Sequence, residues 1–492
     1  MLTLYGIYLV LLSAVLLVVI RSDAVAGRCQ LFSARNFFIL GVILFQSVSG
    51  ALTMFTEQTE RGSEISGYTE AGFVFCLVLT LFLAVMLATY RWANSVERFA
   101  VRRARVRVTS KPRLVFAGLV LSGIGIALRF VGGEVPYVAV LLPQLAAGCL
   151  CGGVALIAMA WARSAFNVFV ALILLATTIA NSAVLLVGAF GRREILGLMF
   201  AIAWALFYEK WRLMPVARLI PRVVVATTGV AFVFLLFSSA RVSGENTDRS
   251  LVAQLERIVQ IEPRAVQENI VAALSGQFAG GISMWIYDQR MTSGGYDPLH
   301  SLIYLVTLPV PRDFWPGKPE GLGLIVVDEA GITGVSAGHS WGPGLVGHLV
   351  HDVVFCSLPL YAVLIGIGFR YMDARASSSV CDPLTIALFG SALGQILGMP
   401  RGDIGLFAFN MAAAFLGFWF FGRVAGAMFL PIDRDAELDA AERYEEPYSD
   451  PDVFGQEVES DGFSADDEHD SGDPKSGRTL TRSGSDSQIV RG

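Results

Sequence analysis

The sequence predicts an all-α integral membrane protein, and three observations predict it. Of its 492 residues, 54% are hydrophobic and only 16% are charged, too apolar a balance for a water-soluble globule. Apolar runs of about twenty residues recur along the chain, the length an α-helix needs to cross roughly 30 Å of hydrocarbon. The charges between these runs alternate in sign bias from one loop to the next, as the positive-inside rule requires of a polytopic protein.

Taken in order, the candidate spans are 2–20, 34–54, 68–90, 114–131, 136–160, 165–190, 194–209, 220–240, 344–368, 383–399 and 404–427, about eleven transmembrane helices. The first begins without a basic segment and no cleavage site follows it, so it reads as a retained span. The loop 91–113 carries eight cations, among them Arg102, Arg103, Arg105 and Arg107, against the single acid Glu97, which assigns it to the cytoplasm. Parity then puts the cationic loops at 21–35, 210–222 and 370–375 on the same side. The N-terminus is expected outside the plasma (inner) membrane and the C-terminal tail in the cytoplasm.

The chain divides into residues 1–240 with eight spans, an external loop 241–343, residues 344–430 with three more spans, and a tail 431–492. From 432 onward the tail holds 18 acidic and 6 basic residues, net −12, so the remainder nets +7 of the overall −5. Few aromatics and many Ser, Gly, Asp and Glu leave it nothing to bury, and it is expected to be disordered. Within the long loop, Leu251, Leu255, Ile258, Val259, Val266, Ile270 and Leu274 recur at helical spacing. The pattern predicts amphipathic helices over 251–287, broken near Pro263 and at Gly280-Gly281, lying on the membrane surface or packed as a cap on the bundle.

Six cysteines fall in predicted spans or short loops. Cys149-x-Cys151 lacks a second ligand pair, so all six read as small packing residues. No metal or cofactor is expected.

The segment 307–352 departs from the rest of the chain. Prolines 309, 311, 316 and 319 forbid helix or sheet there and fix a rigid loop carrying Arg312 and Lys318. Gly338-His339-Ser340-Trp341 follows, then His348, His351 and Asp352. Other cations sit at expected outer helix ends: Arg129, Arg192 and Arg193 beside Glu194, and Arg401 in Pro400-Arg401-Gly402-Asp403. Two readings compete for them. Each pairs with a near acid (Glu134, Glu194, Asp313, Asp403), or several converge on a pyrophosphate, which guanidinium groups bind bidentately. His348 and His351 share a helix face at i and i+3, but H-x-x-H-D is not a zinc spacing. Proton transfer and ordinary hydrogen bonding both remain open for them. Trp315 and Trp341 read as sugar-stacking platforms or as interfacial anchors.

Pro311-Arg312-x-x-Trp315-Pro316-x-Lys318-Pro319 resembles a segment of the O-antigen polymerases, the Wzy-type oligosaccharide repeat-unit polymerases, in which it closes the large external loop. The Gly/Ser-rich 338–347 leading into a helix, Gly191-Arg192-Arg193 and Arg401-Gly402 are similar to further family features. The resemblance covers about 180–425. Where the family commonly carries a Glu in the helix after the Gly-rich stretch, this chain has His348 and then His351-Asp352, and the role passes to His348 or Asp352.

The resemblance implies a GT-C-like, metal-independent membrane glycosyltransferase. Its substrates are undecaprenyl-pyrophosphate-linked glycans, its setting the lipid bilayer, and a chain-length regulator an expected partner; no nucleic acid is involved. An acceptor sugar hydroxyl attacks the donor's anomeric carbon and lipid pyrophosphate leaves. Arg192, Arg193, Arg312, Lys318 and Arg401 are the expected phosphate groups. His339, His348 and Asp352 are the candidate general bases, and Trp315 and Trp341 the sugar contacts. A lipid-linked glycan ligase and a multi-pass polysaccharide transporter or flippase are the competing classes, the last disfavoured because the spans carry almost no charge between their ends.

Overall fold

The computed structural model describes residues 1–59, 63–102, 110–131, 141–186, 192–215, 278–332, 340–378 and 382–430, with 218, 219, 221, 222 and 228 besides. All regular elements among them are helices. In order these are α1 (Leu2–Val25), α2 (Ala34–Val42), a π-helical turn (Ile43–Val48), α3 (Ser49–Thr56), α4 (Tyr68–Trp92), α5 (Asn94–Arg102), α6 (Lys111–Val131), α7 (Leu141–Arg163), α8 (Val168–Leu186) and α9 (Arg192–Glu209). After the long loop come α10 (Ala279–Ser293), α11 (His300–Thr307), α12 (Leu322–Glu329), α13 (Gly344–His351), α14 (Val354–Ser378), α15 (Pro383–Gly390), α16 (Leu393–Gly398) and α17 (Ile404–Phe429).

Eight helices among the described residues are long and apolar enough to cross a membrane: α1, the continuous Ala34–Thr56, α4, α6, α7, α8, α14 and α17. The chain is an all-helical, membrane-embedded protein. The eleven spans expected differ from these eight for identifiable reasons. The stretch 344–368 breaks at Asp352, and Val353 takes a left-handed φ of +67°, so the long apolar helix is Val354–Ser378. Residues 383–399 fold as two short helices, α15 and α16, separated at Ser391-Ala392. Helix α9 has only 18 residues and carries Arg192, Arg193 and Glu194 in its first turn. The expected span 220–240 and the tail 431–492 lie outside the described residues.

Helix α7 is the centre of the bundle, with nearly all of its residues from Ala146 to Ala160 buried. Lipid supplies no hydrophobic drive between helices, so close backbone approach at small residues does the packing. A Cβ on Gly148 would lie 2.2 Å from the Ala414 carbonyl oxygen of α17, whereas one on Gly123 of α6 meets nothing within 4 Å. Gly148→Ala is therefore expected to cost about 1–3 kcal/mol by overpacking, with Gly123→Ala unchanged, read by thermal denaturation of both purified variants.

Helix α10 begins at Ala279, one residue before Gly280-Gly281 and directly after Phe278 at a left-handed φ of +57°, and its residues from Ala279 to Ile286 are all buried. The two glycines serve a close contact: a Cβ on Gly280 would stand 2.5 Å from the Gly50 nitrogen of α3, and the Gly280 N–H donates to Ser49 Oγ at 3.1 Å. Asp288 then caps the start of α4, accepting from the N–H groups of Ser66 at 2.9 Å and Gly67 at 3.1 Å. Arg290 donates to both carboxylate oxygens of Glu329 on α12 at 2.7 and 2.9 Å. Residues 251–277, including Pro263, lie outside the described residues.

At the bundle end that carries the basic loop, Arg35 on α2 donates to Asp23 of α1 at 2.7 Å. Asp373 of α14 accepts from the Ala34 N–H at 2.6 Å and the Tyr90 hydroxyl at 3.0 Å. Four helices are thus joined by one buried polar network.

Candidate active site

The 311–319 loop leaves α11 in two turns, with Phe314 N–H bonded to the Pro311 carbonyl at 3.1 Å and Lys318 N–H to that of Trp315 at 3.1 Å. Lys318 Nζ donates to the carbonyls of Leu308 at 2.8 Å and Val310 at 2.9 Å, satisfying acceptors just beyond the end of α11. Burial, and then Arg312, lower its pKa from the ordinary lysine value. Lys318 is thus engaged in building the loop. Arg312 pairs with Glu320 at 3.1 Å, both side chains about half exposed (48% and 46%). Trp315 and Phe314 show solvent-facing rings beside it, 43% and 73% exposed.

The Arg401 turn joins α16 to α17. The Arg401 carbonyl accepts from the Gly344 N–H at 3.1 Å and the Pro400 carbonyl from the Leu345 N–H at 2.9 Å, so the turn is seated on the start of α13. Asp403 caps α17 through the Leu406 N–H at 3.1 Å. Its carboxylate also stands by the 311–319 loop: a Cβ on Gly321 would lie 3.0 Å from Asp403 Oδ2 and 3.2 Å from the Tyr304 hydroxyl. Burial, and then Asp403, push the Tyr304 phenol up to about 12.

Between loop and turn lies a buried nest around Asp352, itself fully enclosed. One Asp352 oxygen accepts from the Ser301 N–H at 2.8 Å and from the Tyr361 hydroxyl, and the other faces His351 Nδ1 at 3.1 Å. Burial opposes the carboxylate, yet the bonds from His351 and Tyr361, the nearby His348 and the Ser301 N–H bring its pKa below the ordinary value.

The three histidines here are not equivalent, and their partners say why. His348 Nε2 accepts from the Ile404 N–H at 3.2 Å, so its proton is on Nδ1 and goes to Ser301 Oγ at 2.6 Å. Both nitrogens are used, and burial lowers its pKa, holding it neutral. His300 stands between two acceptors, Asp297 Oδ2 and the Glu320 carbonyl, each at 2.7 Å. His351 has Nδ1 held by Asp352 and makes no other ring hydrogen bond among the described residues. Its Nε2 has no hydrogen-bond partner among the described residues, on a residue only 3% exposed, with the His300 ring packed edge-on at 5.0 Å.

The structure therefore seats the 311–319 loop (Arg312, Trp315, Lys318) at the end of α11 and the Arg401 turn at the start of α13, and α13 bonds to α11 through His348 and Asp352. It places Trp341 differently, 8% exposed and edge-on to Trp285 at 6.4 Å between ring centroids. Arg192 and Arg193 open α9. The following Glu194 is buried and within electrostatic reach of Arg129. His339 lies outside the described residues. No group of His, Cys, Asp and Glu suited to a metal ion occurs among the described residues. The residues that complete the nest, Ser301, Tyr361 and His300, gave no sequence signal beyond their polarity. No protein-family model, curated protein or solved structure matches the chain.

Proposed function

We propose that this chain is a GT-C-like membrane glycosyltransferase that polymerises lipid-linked oligosaccharide repeat units into a surface polysaccharide. The growing glycan moves from undecaprenyl pyrophosphate to the non-reducing end of the next lipid-linked unit. The observation that carries the reading is that two arginine-bearing segments, the 311–319 loop at the end of α11 and the Arg401 turn at the start of α13, pack on the same two helices as an Asp352–His351 pair. Such a pair is the arrangement general-base catalysis asks for: a carboxylate fixes one imidazole nitrogen and leaves the other basic. His351 Nε2 takes the proton of the acceptor hydroxyl as its oxygen bonds to the anomeric carbon. The bond from that carbon to the pyrophosphate oxygen breaks, and the arginines meet the charge that builds on the leaving group. Trp315 offers its exposed ring to a sugar.

Deleting the gene is expected to leave single repeat units on the cell surface, or none, in place of long chains. Surface-glycan length profiling reads this directly, and a full-length ladder in the deletion strain would sink the proposal.

A further inference from the structure

The span from Ala34 to Thr56 is not a uniform α-helix: Ile43–Val48 is π-helical. π-Helical turns are rare and costly insertions that cluster at functional sites. This one places two consecutive residues against the Arg401 turn. The Gln46 amide Nε2 donates to the Pro400 carbonyl at 2.7 Å, and the Arg401 guanidinium stands 5.8 Å from the centre of the Phe45 ring. Neighbours in an ordinary α-helix point about 100° apart, and such a shared target is unusual for them.

The fit around Gln46 is close. A Cβ on Gly344, whose φ is +74°, would lie 2.5 Å from Gln46 Nε2, and one on Gly41 would lie 2.2 Å from the Leu397 carbonyl oxygen at the end of α16. Gln46 and Ser47 are fully buried, and Gln46 Oε1 and Ser47 Oγ have no hydrogen-bond partner among the described residues. Polar burial of this kind inside a span opposes folding. Packing alone does not call for it, since an apolar residue would fill the same space.

We propose that the π-helical turn is the positioning element for Arg401: Gln46 fixes the backbone of its turn, and Phe45 aims its guanidinium. This rests on the reading of Arg401 as a pyrophosphate-binding group.

The test uses the full chain in nanodiscs, with inorganic pyrophosphate as the calorimetric probe. Phe45→Leu is expected to weaken binding about two- to fivefold, and Phe45→Tyr to restore it. Gln46→Leu is expected to weaken it about two- to tenfold, and to speed hydrogen exchange of the Arg401 and Gly402 amides without lowering the melting temperature. In an Arg401→Ala background neither substitution weakens binding further. Equal effects of Leu and Tyr at position 45, additive effects with Arg401→Ala, or unchanged exchange in Gln46→Leu would each overturn the positioning role. If Arg401→Ala itself binds pyrophosphate as the parent does, the phosphate reading fails, and the exchange measurement alone decides whether Gln46 holds the turn.

Discussion

Replacing Arg401 with alanine is expected to slow polymerisation by about 10²–10³-fold, the usual cost of removing one transition-state charge contact, while the protein still inserts and folds. The turn that carries Arg401 is held by backbone groups, Gly344 and Leu345 donating to the Arg401 and Pro400 carbonyls, and an alanine keeps both bonds. Arg401→Lys is expected to recover part of the rate, because it retains the charge but loses the bidentate fork. Arg312→Ala offers a second, cleaner reading. Its pair with Glu320 is half exposed, and exposed pairs contribute only about 0–1 kcal/mol. Any loss of polymer is then a loss of chemistry. In vitro extension of purified lipid-linked repeat units, run as a product ladder, measures both. A wild-type ladder from Arg401→Ala, at equal protein in the membrane, would remove Arg401 from the mechanism.

The helical membrane architecture was legible because lipid leaves few alternatives: an apolar run of twenty residues must become a helix that satisfies its own backbone. The 311–319 loop and the Arg401 turn were legible for the opposite reason, since Pro and Gly state their backbone demands locally. What is not legible in the sequence is a group's partner when that partner is distant along the chain. Gly280, at the head of α10, reads in the sequence as a helix breaker, but its role in the fold is space: the facing Gly50 backbone leaves no room for a Cβ. Lys318 reads as a free cation until Leu308 and Val310 turn their carbonyls toward it. Arg312 has an acid beside it in Asp313, yet its ion pair is with Glu320.

The His351–Asp352 contact is not legible from the dipeptide alone, because adjacent residues on a helix do not face each other. Here α13 stops at His351 and Asp352 turns out of the helix at φ −83°, ψ 15°, which brings the carboxylate round to the ring. The proposed base, His351, stands three residues, one helical turn, beyond His348.

That offset yields the most discriminating expectation for the two histidines. His351→Ala should lower the polymerisation rate by about 10²–10⁴-fold, the range of a general base, with little change in stability. His348→Ala should do the reverse. Its ring joins Ser301 on α11 to the Ile404 N–H at the head of α17, and removing it strands two buried groups at about 1–3 kcal/mol each. Thermal denaturation should therefore detect His348→Ala first, and single-turnover kinetics His351→Ala first. Asp352→Asn tests whether the pair acts as a unit: combined with His351→Ala it should add little further loss of rate, because a carboxylate that works through an imidazole has nothing to orient once the ring is gone. Multiplicative losses in the double variant, or a His351→Ala enzyme as fast as the parent, would return Asp352 and His351 to the status of a buried structural pair.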